Sequence, residues 1–147
     1  MVFRGNFPAK LDAQGRIKIP TTHRRVFEEQ FGPEVFVTSM SGENVLIYPL
    51  SEWEKLEAKL QEAPKFARAK QRFLRNTSYY GQVGTLDKQG RVGIQPHLRQ
   101  AAEVEGELAV MGSLNSLEIW NADKIRSRME AEPLGEDELA ELAELGI

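Results

Sequence analysis

The stretch "LDAQGRIKI", Leu11 to Ile19, returns as "LDKQGRVGI", Leu86 to Ile94, at an offset of 75 residues. In that register Asp12 aligns with Asp87, Gln14 with Gln89, Gly15 with Gly90, Arg16 with Arg91, Ile17 with Val92 and Ile19 with Ile94; further on, Arg24 aligns with Arg99. A second correspondence follows at an offset of 72, pairing "VLIYPLSEW" from Val45 with "LEIWNADKI" from Leu117. A three-residue deletion accounts for the change of offset. Self-similarity at a fixed spacing marks a chain built from related units, here two halves. No low-complexity stretch divides them, so they are expected to share one core.

Each copy of the motif reads as a tight hairpin. Leu11, Ile17 and Ile19 flank the turn Asp12–Gly15, and Leu86, Val92 and Ile94 flank Asp87–Gly90, with the alternation expected of strands. Asp at the first turn position accepts from nearby backbone N–H groups, and Gly tolerates the positive φ that closes such a turn. Pro20 stops the first strand, and Thr21 or Thr22 is expected to cap a short helix running to Phe31. Pro96 serves in the same way before a helix from His97 to Glu105. A second hairpin, Val35 to Tyr48, turns at Ser41–Asn44, and its counterpart, Leu108 to Trp120, turns near Asn115.

After Pro49, Ser51 and Glu54 have the spacing of a capping box and predict a helix to Glu62. Pro64 ends it, and a further helix over Lys65–Asn76 joins the halves. The organisation expected is a first repeat with its trailing helix at 1–62, a basic linker helix at 63–77, a second repeat at 78–128 and an acidic tail at 129–147. In the tail, Leu139, Leu142 and Leu145 have near-helical spacing and predict a loosely attached acidic helix.

The formal net charge of −3 points away from a polyanionic partner until its distribution is followed along the chain. Seven of the 22 acidic residues lie in Met129–Ile147, which has no Lys or Arg, so residues 1–128 carry 19 basic and 15 acidic side chains, a charge of +4. Met1–Arg25 holds six basic residues against Asp12 alone, and Lys65–Arg75 holds five and no acid. Local clusters of this kind make the fields that attract phosphates. The absence of cysteine excludes disulfides, thiolate metal sites and Cys nucleophiles. No apolar run reaches the roughly 18 residues of a membrane span, and the N-terminus reads as lacking a secretory signal; a cytoplasmic location is expected.

The paired "LDAQGRIKIP" and "LDKQGRVGI" motifs, the β-α-β-β reading of each half and the basic linker resemble the MraZ family of bacterial transcriptional regulators. The resemblance covers residues 1–125 and extends to the AbrB-type swapped-hairpin DNA-binding domain, of which MraZ proteins look like a tandem version. It implies an α+β fold: a pseudo-two-fold swapped-hairpin β-barrel with peripheral helices, in which one chain supplies both intertwined halves. It further implies sequence-specific binding of double-stranded DNA at promoter repeats upstream of the division and cell-wall gene cluster, nucleoid association and ring-like homo-oligomers. It assigns DNA recognition to the Asp–Arg pairs, which are Asp12 with Arg16 and Asp87 with Arg91 in this chain. Copy two departs from copy one in having Gln95 where Pro20 stands and Gly93 where Lys18 stands.

The chemistry of the residues agrees with that assignment. The Arg guanidinium is a permanently charged planar fork suited to phosphate oxygens and guanine edges. Asp12 and Asp87 are expected to position the turns, with Gly15 and Gly90. Lys18, Arg24, Arg25, Lys88 and Arg99, with Arg4 and Lys10, are candidate phosphate contacts. Lys65, Arg68, Arg72 and Arg75 follow i, i+3, i+7, i+10 spacing and predict a basic helical face for DNA backbone or a neighbouring subunit. Trp53, Phe66, Phe73, Tyr79, Tyr80 and Trp120 read as core or subunit-contact aromatics, and His23 and His97 as surface or capping residues. No metal site, cofactor, membrane contact or small-molecule substrate is expected, and no G-x-S-x-G, P-loop or H-E-x-x-H pattern suggests an enzyme. The alternative is an oligomeric interaction scaffold with purely structural turns. Because Lys18, Arg24 and Arg25 all belong to copy one, Arg16 is expected to matter more for affinity than Arg91.

Overall fold

A computed structural model describes residues 1–147. The first half contains β1 (Asn6–Ala9), β2 (Arg16–Lys18), α1 (Thr21–Val26), β3 (Glu34–Thr38), β4 (Val45–Pro49) and α2 (Leu50–Glu62). After α3 (Arg68–Tyr80) come β5 (Gln82–Thr85), β6 (Arg91–Gly93), α4 (Pro96–Ala101), β7 (Leu108–Gly112), β8 (Leu117–Asn121), α5 (Ala122–Ala131) and α6 (Glu136–Glu144). α1 continues into a π-helical turn, Phe27–Phe31. The fold is α+β, and every strand pairing is antiparallel. None of the helices is long and apolar enough to cross a membrane.

The halves exchange strands. β1 pairs with β7, β5 with β3 and β4 with β8, giving a six-stranded sheet of order β1-β7-β8-β4-β3-β5, while β2 and β6 form a separate two-stranded ladder. Only the β3–β4 and β7–β8 hairpins stay within one half. Exchanging the halves turns the order of the large sheet into its own reverse. In the ladder Ile17 faces Val92, and in the large sheet Leu46 faces Glu118. These are the residues matched at offsets 75 and 72, so one pseudo-two-fold axis relates both pairings.

Alternation along the strands divides the apolar residues between two faces. Val35, Val37, Val45, Ile47, Leu108, Val110, Leu117 and Ile119 share one core with Ile17 and Val92 of the ladder and with Phe3, Phe27 and Leu98. The intervening residues point the other way. There Leu46, Tyr48 and Phe36 meet Trp53 of α2 and Phe73 of α3, with the Trp53 ring 4.8 Å from Phe36 and 5.1 Å from Tyr48. β4 is buried along its whole length because both faces are covered.

Several local expectations are corrected. The LDxQGR segment closes a tight turn, but its strands leave in different directions: locally only a Leu11–Ile17 bridge remains, and Asn6–Ala9, absent from the sequence reading, forms the edge strand β1. α2 has no capping box. β4 runs without a loop into the helix, Pro49 is the N-cap at φ −53°, and Ser51 is already the second helical residue. Pro20 likewise occupies the N-cap of α1, where neither Thr21 nor Thr22 caps. Gln95, its counterpart, has nearly the same backbone (φ −60°, ψ 142° against −54°, 144°), so the replacement leaves the strand exit unchanged. α4 ends at Ala101 rather than Glu105, and Glu103 has φ 55°. α3 starts three residues later than the linker helix expected from Lys65 and runs on to Tyr80.

Candidate nucleic-acid interface

The two motif turns have almost the same geometry. Gly15 and Gly90 have φ of 75° and 74°, the left-handed conformation that closes each turn. Asp12 Oδ1 accepts from the backbone N–H groups of Gln14 and Arg16 at 2.9 Å each, and Asp12 Oδ2 accepts from Arg16 Nε at 2.9 Å. In copy two, Asp87 takes the same bonds from Gln89 N (2.8 Å), Arg91 N and Arg91 Nε (2.9 Å each). The backbone N–H of the Arg, then its side chain, holds each carboxyl below its ordinary value against the opposing pull of desolvation. Both stay ionised throughout the neutral range. The Asp therefore closes the turn and orients the Arg.

Strand exchange sets the turns side by side. Ile19 N–H donates to Gly90 O at 2.8 Å, and its counterpart Ile94 N–H donates to Gly15 O at 3.1 Å. Ile17 and Val92 of the ladder point into the core, so Arg16, Lys18 and Arg91 lie on its outward face, where Lys18 stands opposite Arg91 and Arg16 opposite Gly93. Like charges directly opposite oppose pairing.

The two Arg forks are not equivalent. Arg16 Nη2 donates to Gln14 Oε1 at 3.1 Å, and its Nη1 lies 3.9 Å from Asp87 Oδ2, so every nitrogen of its guanidinium has a carboxylate or amide nearby. The terminal nitrogens of Arg91 make no hydrogen bond or ion pair within the chain. Strand exchange thus sets copy one's Lys18 directly opposite copy two's Arg91.

Arg24 and Arg99 also cross to the opposite turn. Arg24 donates to Lys88 O through Nη2, its Nε forms an ion pair with Glu28 at 2.8 Å, and it lies over Gly90, where a Cβ would sit 2.7 Å from its Cδ. Arg99 covers Gly15 in the same way, with its Nε buried and unpartnered. These two residues support the turns from behind, and the same crowding requires glycine beneath them. The matched pairs Arg24/Arg99 and Gly15/Gly90 were visible in the repeat; their crossed packing has no local sequence signal. Arg25, Lys88, Arg4 and Lys10 are exposed.

Arg68, Arg72 and Arg75 are exposed on α3 and form no ion pair, but Lys65 precedes the helix and is not part of that face. α3 packs through Phe73 on the face of the large sheet opposite the ladder residues Ile17 and Val92. The structure therefore does not join the α3 stripe to the turn cluster. Trp53 and Trp120 are buried and Phe73 and Tyr80 partly so, whereas Phe66 and Tyr79 are 82% and 67% exposed. His97 is exposed, with Nε2 2.8 Å from Tyr79 O.

His23 is a correction of a different kind, because it is fully buried between Phe3 and Phe7. Neither ring nitrogen has a partner at hydrogen-bond geometry, although the carbonyls of Val110 and Gly5 favour protonation; burial prevails and lowers the pKa below 6.5. The folded ring stays neutral where the unfolded ring takes up a proton. Stability should therefore fall as pH drops below 6.5, well before Asp12 and Asp87 protonate below 3.8. Urea melts between pH 7.5 and 5 should show this slope, and His23→Gln should flatten it; an unchanged slope would exclude the buried ring as its source.

The fold and the site define a strand-exchanged α+β protein in which two Asp-braced Arg turns share one ladder. The family model described as "MraZ protein, putative antitoxin-like" matches residues 2–76 and 82–133, and each segment contains one of the turns. The chain belongs to the MraZ family. It is similar to the protein called Transcriptional regulator MraZ of Acidobacterium capsulatum, 41% identical over 146 residues, covering 99% of this chain and 100% of the relative. The protein of that name from Koribacter versatilis is 42% identical over 147 residues, with 99% and 100% covered. The one from Haemophilus influenzae strain PittEE is 36% identical over 121 residues, with 82% and 80% covered.

Proposed function

We propose that this chain is a transcriptional regulator that binds double-stranded DNA sequence-specifically through its two motif turns. The observation that carries the reading is the outward face of the β2–β6 ladder, where Arg91 keeps its terminal guanidinium nitrogens free beside Lys18. A polyanion would relieve the repulsion between these charges, and a planar fork can read a guanine edge. The name shared by the relatives supports a regulatory role. Arg16, Arg25 and Lys88 extend the contact surface, while Arg24 and Arg99 act chiefly by holding the turns.

The rest of the reading follows the family resemblance. The exchanged strands correspond to a swapped-hairpin barrel, the organisation is 1–62, 63–77, 78–128 and 129–147, and ring-like homo-oligomers present several turn pairs to repeated promoter sites upstream of the division and cell-wall genes. Such a protein works at the nucleoid and needs neither cofactor nor small-molecule substrate. Lys65, Arg68, Arg72 and Arg75 are then available to DNA backbone or a neighbouring subunit. A mobility shift comparing the chain's own upstream promoter fragment with scrambled DNA of equal length tests the proposal. Preferential retardation of the promoter is expected; equal binding, or none, would return the turns to a scaffold role.

A further inference from the structure

We infer that Gln14 and Gln89 are specificity-determining residues and that, placed alike by the pseudo-symmetry, they offer DNA different hydrogen-bonding faces, so that the site read by one chain is not palindromic. This inference rests on the DNA-binding reading above.

Both amides belong to exposed residues one position before the glycine that closes each turn. Each backbone N–H is fixed to its own Asp, at 2.9 Å for Gln14 and 2.8 Å for Gln89, so each side chain projects from a positioned Cα. The difference lies in what the amide touches. Gln14 Oε1 accepts from Arg16 Nη2 at 3.1 Å. A guanidinium has only donors, so the amide oxygen must face it and the amide nitrogen is left outward with two N–H groups. Arg16 and Gln14 together offer a row of donors, complementary to the N7 and O6 acceptors of guanine and mismatched to the N6 amino group of adenine.

The side chain of Gln89 makes no hydrogen bond within the chain, and Arg91 leaves it free by holding only Asp87. Its amide can therefore donate and accept together, the pattern that pairs with N7 and N6 of adenine. Lys88 stands beside it where copy one has Ala13, adding a charge to the second turn alone. The first turn thus favours an acceptor edge, and the second favours adenine next to whatever Arg91 contacts.

Selection of bound duplexes from a random library, using the full chain and its Gln14→Ala, Gln89→Ala and Gln89→Glu variants, tests this directly. Thermal melts of each variant establish that the fold is retained, and the side chains changed are exposed. The parent should select a non-palindromic motif. Gln89→Ala should weaken one adenine preference by about fivefold or more, the lower bound for losing a bidentate pair, and leave the other positions unchanged. Gln89→Glu, now only an acceptor, should turn that position towards cytosine, whose N4 donates. Gln14→Ala should relax a guanine preference without touching the adenine. A sharp but palindromic parent motif, or variants that return the parent's motif with its preferences intact, would overturn the inference and leave DNA binding standing. A parent that enriches no sequence would instead defeat the DNA-binding reading and this inference with it.

Discussion

Arg16→Ala combined with Arg91→Ala should give a protein that melts cooperatively close to the parent yet no longer distinguishes operator from random DNA. Neither Arg is buried, and each Asp retains two backbone N–H donors when the guanidinium is gone, so the turns should stay closed. Each fork lost from a base edge removes about 1–3 kcal/mol of discrimination. If a fork lies on phosphate instead, the slope of log K against log[salt] should become shallower by about 0.9 per contact. Mobility shifts across a salt series separate these outcomes. The single variants should differ, with Arg91→Ala costing more affinity, because Arg91 has the free terminal nitrogens and Lys18 opposite while Arg16 is shared among Asp12, Gln14 and Asp87. A folded double variant with undiminished operator preference would remove the turns from DNA recognition.

Gly112→Ala should be strongly destabilising, although Gly112 is far from the turns in sequence. A Cβ there would lie 2.5 Å from Arg4 Cα and would also overlap Arg4 N and Phe3 C, all backbone atoms, which cannot rotate away as a side chain can. Gly112 N–H donates to Gly5 O at 2.8 Å, and Phe3 and Leu114 exchange backbone bonds just beyond, so the N-terminal segment is laid against the end of β7. Relief of the clash would lift Phe3 from the core, where its ring lies 4.9 Å from Phe27. The combined strain and lost burial should cost about 3 kcal/mol or more in a urea melt. Gly93→Ala is the control: no heavy atom lies within 4 Å of its added Cβ, and the change should stay within about 0.5 kcal/mol. Equal effects at the two positions would refute the backbone-contact explanation.

The turns were legible because their chemistry is local: Asp, Gly and Arg at fixed spacing specify a closed loop whatever surrounds it. The β3–β4 hairpin was legible for the same reason, through alternating apolar residues on either side of a short turn. β1 was not, because a four-residue edge strand that contains Pro8 and is only half-buried on its inward side is too short for its alternation to stand out, and its partner is β7, more than ninety residues away. Burial of His23 depends on Phe3 and Phe7 closing over α1, which a histidine flanked by Thr22 and Arg24 does not announce. At the site, copy one's Lys18 and Arg24 can be counted from the sequence, but nearness along the chain places their charge at the first turn. The exchange of strands delivers both to the other turn.

That exchange also bears on how the chain is made. β1, β2 and β4 each need a strand from the far half, so much of the first half leaves the ribosome without its partners. With roughly 100 residues between β1 and β7 and translation at about 5–20 residues per second, β1 waits on the order of 5–20 s. Only β3 with β4, backed by α2, can close early. The nascent chain should therefore remain sensitive to protease until β8 has emerged and then become resistant in a single step, a timing that a circular permutant beginning at β5 would change only by exchanging which half waits.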